Sequence, residues 1–265
     1  MPIFCERKGL ILVMEVFREY AYYYNAFYND KNYKEEAGQV DALLKRYGRD
    51  VTKLINYGCG TGRHDIELAK MGYECTGLDM SQMMIELARE QANDLGIEIE
   101  FSVGDIRKFR SNRKYDGVIS LFHVMSYQNK NNDVLNAFRS ARSALRSGGL
   151  FLFDAWYGPG VLSDWPAVRI KEVEDSKYRL VRIARPIMYD KENRVDVNYE
   201  VFIIDKKTQK VKVVYETHKM RYFFRPELEF FLNEAGLELL DNLDCKTFGE
   251  TDYNSWTSYF IARAM

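Results

Sequence analysis

Residues 54–62 read Leu54-Ile55-Asn56-Tyr57-Gly58-Cys59-Gly60-Thr61-Gly62, an apolar strand that breaks into a loop with glycine at every second position. Such glycines let the backbone turn sharply and let a ligand reach main-chain N–H groups that side chains would cover. Asp79 ends the next apolar run, about 20 residues on, where a doubly wound fold places the carboxylate that accepts from a ribose. The spacing is GxGxG, whereas the dinucleotide fingerprint is GxGxxG, so a nicotinamide cofactor and an oxidoreductase activity fit less well.

Outward from this loop, the apolar runs 51–57, 74–78, 99–103, 115–121 and 149–154 alternate with the amphipathic stretches 63–71, 81–95 and 132–145. That alternation predicts an α/β fold, a doubly wound Rossmann-like sheet with helices on both faces. Ser81 is placed to cap its helix. Before the sheet, Tyr20, Tyr24, Phe27, Tyr28, Val40, Leu43, Leu44 and Tyr47 recur at three- and four-residue steps, predicting a helical cap over 16–47 broken near 29–32. Between 165 and 222 the period changes to two, and 178–185, 194–205 and 210–221 read as antiparallel strands with turns at 190–193 and 205–208. They form a small inserted sheet, followed by a helix over 226–235, Gly236 at its end, and a final strand pair at 237–243 and 258–264. Residues 1–265 are read as a single domain.

Lys and Arg number 38 against 39 Asp and Glu, a formal charge of -1, which argues against nucleic acid as a partner because neutralising phosphates requires a basic face. The basic runs 107–110 and 206–207 read as solvated loops. Cys5, Cys59, Cys75 and Cys245 have neither metal-ligand spacing nor tight pairing, so no metal is expected and a reducing cytoplasm fits. The apolar run 9–14 is too short to span a bilayer and is interrupted by Glu15 and Arg18, so no membrane is expected. Met14 is read as the natural start, with 1–13 as an upstream extension.

Residues 56–62 with Asp79 resemble motifs I and II of the class I S-adenosylmethionine (SAM)-dependent methyltransferases, whose first motif usually reads D-x-G-C-G-T-G; Asn56 stands where the acid is common. The resemblance implies a seven-stranded methyltransferase sheet, SAM as cofactor and S-adenosylhomocysteine as product. It places Gly58, Gly60 and Gly62 around the cofactor and Asn56 near its amino-acid end. Asp79 falls on the ribose hydroxyls and Met80 on the adenine face. Gly104 and Asp105 fall at the adenine amino group, Ile106 against the ring, and Phe122 at the end of the fourth strand. In that last segment His123 and Tyr127 would be i, i+4 neighbours if helical and face one cavity, either one able to take a proton from the acceptor.

The stretches 24–37, 58–64, 121–127 and 155–159 look like the nucleotide-linked amino-sugar N,N-dimethyltransferases. That likeness implies a small-molecule substrate and a homodimer. It also puts Tyr28 in a cap closing over the cofactor, His64 beside the glycine loop, and Tyr127 at a position the family fills with His or Tyr. Trp156 and Tyr157, after the fifth strand, are candidate walls for the sugar. One departure is that the stretch Ser255-Trp256-Thr257-Ser258-Tyr259-Phe260 lacks the arginine those enzymes hold by the substrate's phosphates; Arg221 or Arg225 would have to replace it. The alternatives are O-methylation of a small metabolite, where His123 would lead as base, and a SAM-binding protein without turnover.

Overall fold

The computed structural model describes residues 21–265. The helical reading of 16–20 with Tyr20, the readings of 1–14 and of Cys5, and the side chain of Tyr24 lie outside the described residues. The chain opens with α1 (Ala21–Phe27) and α2 (Tyr33–Tyr47). Asn32 caps α2 by accepting from the Glu35 N–H, and Lys45 and Arg46 lie in its last turn, where the helix dipole favours cations. Then come β1 (Lys53–Tyr57), α3 (Arg63–Lys70), β2 (Glu74–Asp79), α4 (Gln82–Asp94), β3 (Glu100–Val103) and β4 (Tyr115–Ser120). A 3-10 turn over Val124–Tyr127 leads to α5 (Asn131–Ala144), β5 (Leu145–Tyr157) and α6 (Gly158–Ser163). The strands β6 (Arg169–Glu174), β7 (Tyr178–Tyr189), β8 (Arg194–Asp205) and β9 (Val211–Phe223) precede α7 (Arg225–Glu234), β10 (Leu237–Asp244) and β11 (Thr257–Ala264).

Seven strands run in the order β3-β2-β1-β4-β5-β11-β10, parallel from β3 to β5, with β11 antiparallel to both its neighbours. Successive residues of the central strands face opposite sides, which is why these runs are apolar throughout. Ile55, Val118, Phe151 and Phe153 join α5 and α7 in one core, whereas Leu54, Ile119 and Leu152 meet Val40, Leu43 and Leu44 of α2 in the other. Ser81 caps α4 as its position suggested, accepting from the Met84 N–H. Gly236 follows α7 in the left-handed region at φ 77°.

The strands β6 to β9 form an antiparallel meander joined to the main sheet at the tip of β5, where Trp156 and Tyr157 pair in parallel with Tyr222 and Phe223. The sequence reading missed β6, whose alternating charges and exposed Ile170 lack the apolar face that marks a half-buried strand. One face of this meander carries Leu180, Val201, Ile203 and Val214, which pack on Phe27 of α1. Cap and insert therefore share a core of their own.

Asp116, on β4, accepts from the backbone N–H groups of Thr52 and Lys53 at 3.0 and 2.9 Å and pairs with Arg146 at 2.6 Å, tying the starts of β1, β4 and β5. Burial pushes its pKa up, but the Lys53 and Thr52 N–H groups and Arg146 outweigh that and hold it at about 2. An unfolded Asp titrates near about 3.9, so this carboxylate stabilises the fold above about pH 4 and the contribution is lost as pH falls to about 2. Asp116→Asn is expected to lower stability by about 1–2 kcal/mol at pH 7 in urea titrations, with the difference vanishing near about pH 2.

Candidate functional site

The carboxyl ends of β1, β2, β4 and β5 converge on the glycine loop. Gly58, Gly60 and Gly62 all have positive φ (76°, 55° and 73°), the region that penalises any side chain. At Gly60 a Cβ would meet nothing within 4 Å, so this peptide faces open space. At Gly58 a Cβ would lie 2.5 Å from Val124, because the loop packs directly on the turn after β4.

Asp79 closes the loop from the end of β2. Its Oδ2 accepts from the Gly60 N–H at 3.0 Å and its Oδ1 from the Ser81 N–H at 2.8 Å. Burial raises its pKa, and those N–H bonds oppose the rise. Met80 beside it is 69% exposed, as a residue at the rim of a ligand site would be. Gly104 N–H donates to the Asp79 carbonyl at 2.9 Å, which brings the end of β3 to the same rim. Asp105 follows, but its carboxylate is gripped by Arg107 Nε and Nη2 at 2.9 and 2.7 Å. Ile106 departs from expectation: it is buried in the central core, turned inward against the sheet.

Beneath the loop, Asn56 Nδ2 donates to Asp65 Oδ2 at 2.8 Å. Asn56 Oδ1 and Asp65 Oδ1 are buried with no partner among the described residues, the sort of orphaned polar pair that a polar ligand group or water satisfies. The acid missing at position 56 has thus a neighbour on α3 that supplies a carboxyl.

The cap reaches this loop from above. Thr61 Oγ1 donates to Asn25 Oδ1 at 3.0 Å, Arg63 donates to the Tyr28 carbonyl, and the Tyr28 ring meets Phe122 edge-on at 5.0 Å. His64 Nε2 lies 2.7 Å from Glu36 Oε2, which Lys31 also pairs at 2.9 Å. The Lys31 ammonium lies 3.5 Å from the Phe122 ring centre, a cation–π contact.

Phe122 and His123 are consecutive non-glycine residues with left-handed backbone, φ 63° and 65°. Such strain costs about 1–3 kcal/mol per residue and clusters at ligand sites. Asp154, at the end of β5, holds it: Oδ1 accepts from the His123 N–H at 2.9 Å, and Oδ2 lies 2.9 Å from His123 Nδ1. Burial pushes the Asp154 carboxyl up, but His123 and Lys31 outweigh it and hold it below the ordinary range.

The segment after His123 is a 3-10 turn, so His123 and Tyr127 do not stack as i, i+4 neighbours of an α-helix. His123 turns to Asp154; Tyr127 turns to the insert, where its Oη lies 2.7 Å from His218 Nδ1. His218 Nε2 is in turn 3.1 Å from Glu216 Oε2. Neither residue was read from the sequence; both sit on one face of β9, and the only signal was a His and a Glu two apart in an alternating strand.

Trp156 and Tyr157 point to opposite sides of β5. Trp156 packs on the same buried cluster as Tyr127 and Tyr199, that of Val195, Val197 and Tyr222, with its indole 4.8 Å from that of Trp256, whereas Tyr157 packs into the central core near Phe260. Of the two expected walls, only Trp156 shares a cluster with Tyr127. Arg221 is buried and paired with Glu227 at 2.7 Å, and Arg225 is exposed at the start of α7. One arginine on the same face as His218 is Arg182, which donates to the Tyr28 hydroxyl at 3.0 Å and lies over the Tyr199 ring at 4.8 Å.

Residues 55–149 match the family model described as a methyltransferase domain. Over 224 residues the chain is 25% identical to dTDP-3-amino-3,4,6-trideoxy-alpha-D-glucopyranose N,N-dimethyltransferase of Streptomyces venezuelae, covering 83% of this chain and 91% of that one. Solved structures share its fold, two of them over nearly the whole chain. One is a sugar N-methyltransferase from a Streptoalloteichus species, with a TM-score of 0.81, 19% identity and 99% of each chain covered. The other is an S-adenosylmethionine-dependent methyltransferase from Clostridium acetobutylicum, with a TM-score of 0.79, 20% identity, and 92% of this chain and 96% of that one covered. Among the described residues no group of His, Cys, Asp and Glu could hold a metal ion, and no helix is long and apolar enough to cross a membrane.

Burial raises the Asp65 pKa to about 8, opposed by the Asn56 amide. The folded chain therefore keeps a proton that the unfolded chain loses near about pH 3.9, and stability falls as pH rises from about 4 to about 8. Asp65→Asn keeps an acceptor for Asn56 and removes this penalty. Its melting temperature is expected to match the parent near about pH 4 and to exceed it by a growing margin towards about pH 8 in scanning calorimetry.

Proposed function

We propose, from the premise that this chain is a SAM-dependent methyltransferase, that it N-methylates an amino sugar carried on a nucleotide. The observation that carries this is the meeting of the open glycine loop, held by Asp79, with the strained turn that delivers Tyr127. The dTDP-amino-sugar substrate of the Streptomyces relative supports the acceptor class.

The residues present fit the cofactor. Gly60 offers backbone in open space, the Asp79 carboxylate lies at its N–H, and the orphaned oxygens of Asn56 and Asp65 lie under the loop. When bound, SAM supplies a methyl carbon whose bond to sulfur breaks, the pair staying on sulfur, as the acceptor nitrogen's lone pair forms the new C–N bond. Gly58, Gly60 and Gly62 admit the cofactor to the backbone, Asp79 accepts from the ribose, and Met80 and Gly104 border the adenine. Asp105 reaches the adenine amino group only by sharing its carboxylate with Arg107. Tyr28, Phe122 and Lys31 close the cap over the reacting end and exclude water. Fixing two reactants in place supplies up to about 7–11 kcal/mol, so a neutral amine needs orientation more than a strong base. Trp156 forms one wall, and Arg182 replaces the absent arginine towards the phosphates.

A second reading, O-methylation, is favoured by one observation: a carboxylate oxygen of Asp154 lies 2.9 Å from His123 Nδ1, the His–carboxylate pairing that suits a base for a hydroxyl acceptor. The proposal also includes a homodimer and a cytoplasmic location. Exposed Ile170 and Tyr215 on the outer face of the insert support the first, and the free thiols of Cys59, Cys75 and Cys245 support the second.

The test is transfer of labelled methyl from SAM to thymidine-diphosphate amino sugars, with matching hydroxy sugars and free amino sugars alongside. Turnover confined to the nucleotide-linked amines is expected; turnover of the hydroxy sugars would establish the second reading instead. Asp79→Ala is expected to weaken SAM binding at least about 100-fold by calorimetry, since bonds to a charged group contribute about 1.5–3 kcal/mol each. Tyr127→Phe is expected to lower kcat about 10-fold or more and leave SAM affinity within about 2-fold; equal loss of both would make it a cofactor ligand.

A further inference from the structure

A cavity of about 290 Å³ opens between the first turn of α2, the start of α3 and the end of α4. The cap lines it with Lys31 and Lys34, and the body with Arg63 of α3 and Gln91 of α4. Ile66 and Leu95 give it an apolar side. Glu67 also lines it, and Lys70 pairs with that carboxylate at 2.6 Å. Lys31 is the border with the methyl-transfer site, because its ammonium also lies over the Phe122 ring.

The polar groups of this cavity are held in place. The Arg63 guanidinium lies over the Tyr33 ring at 4.3 Å, and its Nη1 donates to the Tyr28 carbonyl at 3.3 Å. Gln91 Nε2 donates to the Thr61 carbonyl at 3.1 Å. Lys31 pairs with Glu36 at 2.9 Å, and Glu35 on the rim takes the amide of Asn32. Among the described residues, neither Arg63 nor Lys34 pairs with a carboxylate, so cations from the cap and from the body share one hollow without an anion of their own. Burial lowers the Lys31 pKa, Glu36 and Asp154 oppose that, and the like charge of Arg63 adds to it: the two sides repel.

A ligand group with two negative charges and several acceptor oxygens relieves that repulsion. Phosphate is such a group, and a guanidinium binds it through paired N–H bonds. The positive end of the 15-residue α2 lies at the same cavity and adds to the attraction. The volume is near the lower limit of ligand pockets, about 300 Å³, which leaves room for a phosphate and one ring against Ile66 and Leu95.

We propose that this cavity is a second ligand site, which takes the phosphate of a small phosphorylated molecule and holds the cap to the glycine loop. The phosphate bridges Lys34 of the cap and Arg63, the residue that follows Gly62 of the loop. Occupancy favours the closed cap, and by reciprocity bound SAM favours the phosphate. No covalent bond changes. The site is distinct from Arg182 of the insert and stands whichever atom of the acceptor is methylated.

The test is calorimetric titration of the whole chain in phosphate-free buffer, with inorganic phosphate and, separately, with thymidine diphosphate. Saturable binding is expected, weakened at least about 10-fold by Lys34→Glu and by Arg63→Gln. Binding of inorganic phosphate is expected to stay within about 2-fold in Arg182→Gln. Lys34 is exposed, so its variant keeps the parent's fold even if the Arg63 variant does not. A tighter fit for thymidine diphosphate, lost in Lys34→Glu, identifies a nucleotide as the ligand; equal affinities identify phosphate alone. Saturating phosphate is expected to tighten SAM binding about 5-fold in the parent and to leave Lys34→Glu unchanged. Sodium chloride at the same ionic strength is expected to have no such effect. No saturable binding of phosphate up to about 10 mM, or binding that survives Lys34→Glu, would overturn the site. Failure of the amino-sugar assay would overturn the acceptor reading and leave this site standing.

Discussion

The carboxylate of Asp154 is the contact on which the site depends. It sits at the end of β5 and takes both the main-chain N–H and the ring of His123, the residue at which the chain leaves β4. Without that anchor, two successive left-handed residues, Phe122 and His123, would relax into an ordinary loop. The turn would no longer lie against Gly58, where Val124 fills the space a Cβ would need. The strain at the end of β4 thus fixes the distance between the glycine loop and the turn that carries His123 and Tyr127.

Around that fixed edge the protein adds two layers that a bare parallel sheet lacks. The helical cap binds the loop through Asn25 and Thr61 and covers Phe122 with Tyr28 and Lys31. The antiparallel meander joins β5 through two residues and brings Tyr199, Glu216 and His218 behind Tyr127. Phe27 packs into the same meander, so cap and insert share one core. A small polar substrate entering here would be enclosed by aromatic rings and one arginine, with water displaced from the reacting atoms.

Much of this was legible in the sequence because it is local. Alternating apolar runs and amphipathic stretches gave the sheet and its helices, GxGxG gave the loop, and Asp79 stood where the next strand had to end. What sequence could not supply was direction. Ile106 and Tyr157 were in the right segments, but the first turns into the core and the second alternates away from its neighbour Trp156. An α-helical turn after β4 would put His123 and Tyr127 on one face; the 3-10 geometry found there sends them to different partners. His218 and Tyr127 are 91 residues apart, and nothing in either segment announces the other. Long-range pairings of this kind come from the register of the meander, fixed by which face of each strand is buried.

The most direct measurement of the central claim is calorimetric titration of the whole chain with SAM and, separately, with NAD. A single site per chain for SAM and no heat of binding from NAD are expected, because a GxGxG loop closed by Asp79 offers a ribose acceptor without a diphosphate cradle. Saturable binding of NAD with none of SAM would contradict it, and the strained turn and the cap would then have to be explained as parts of a different site.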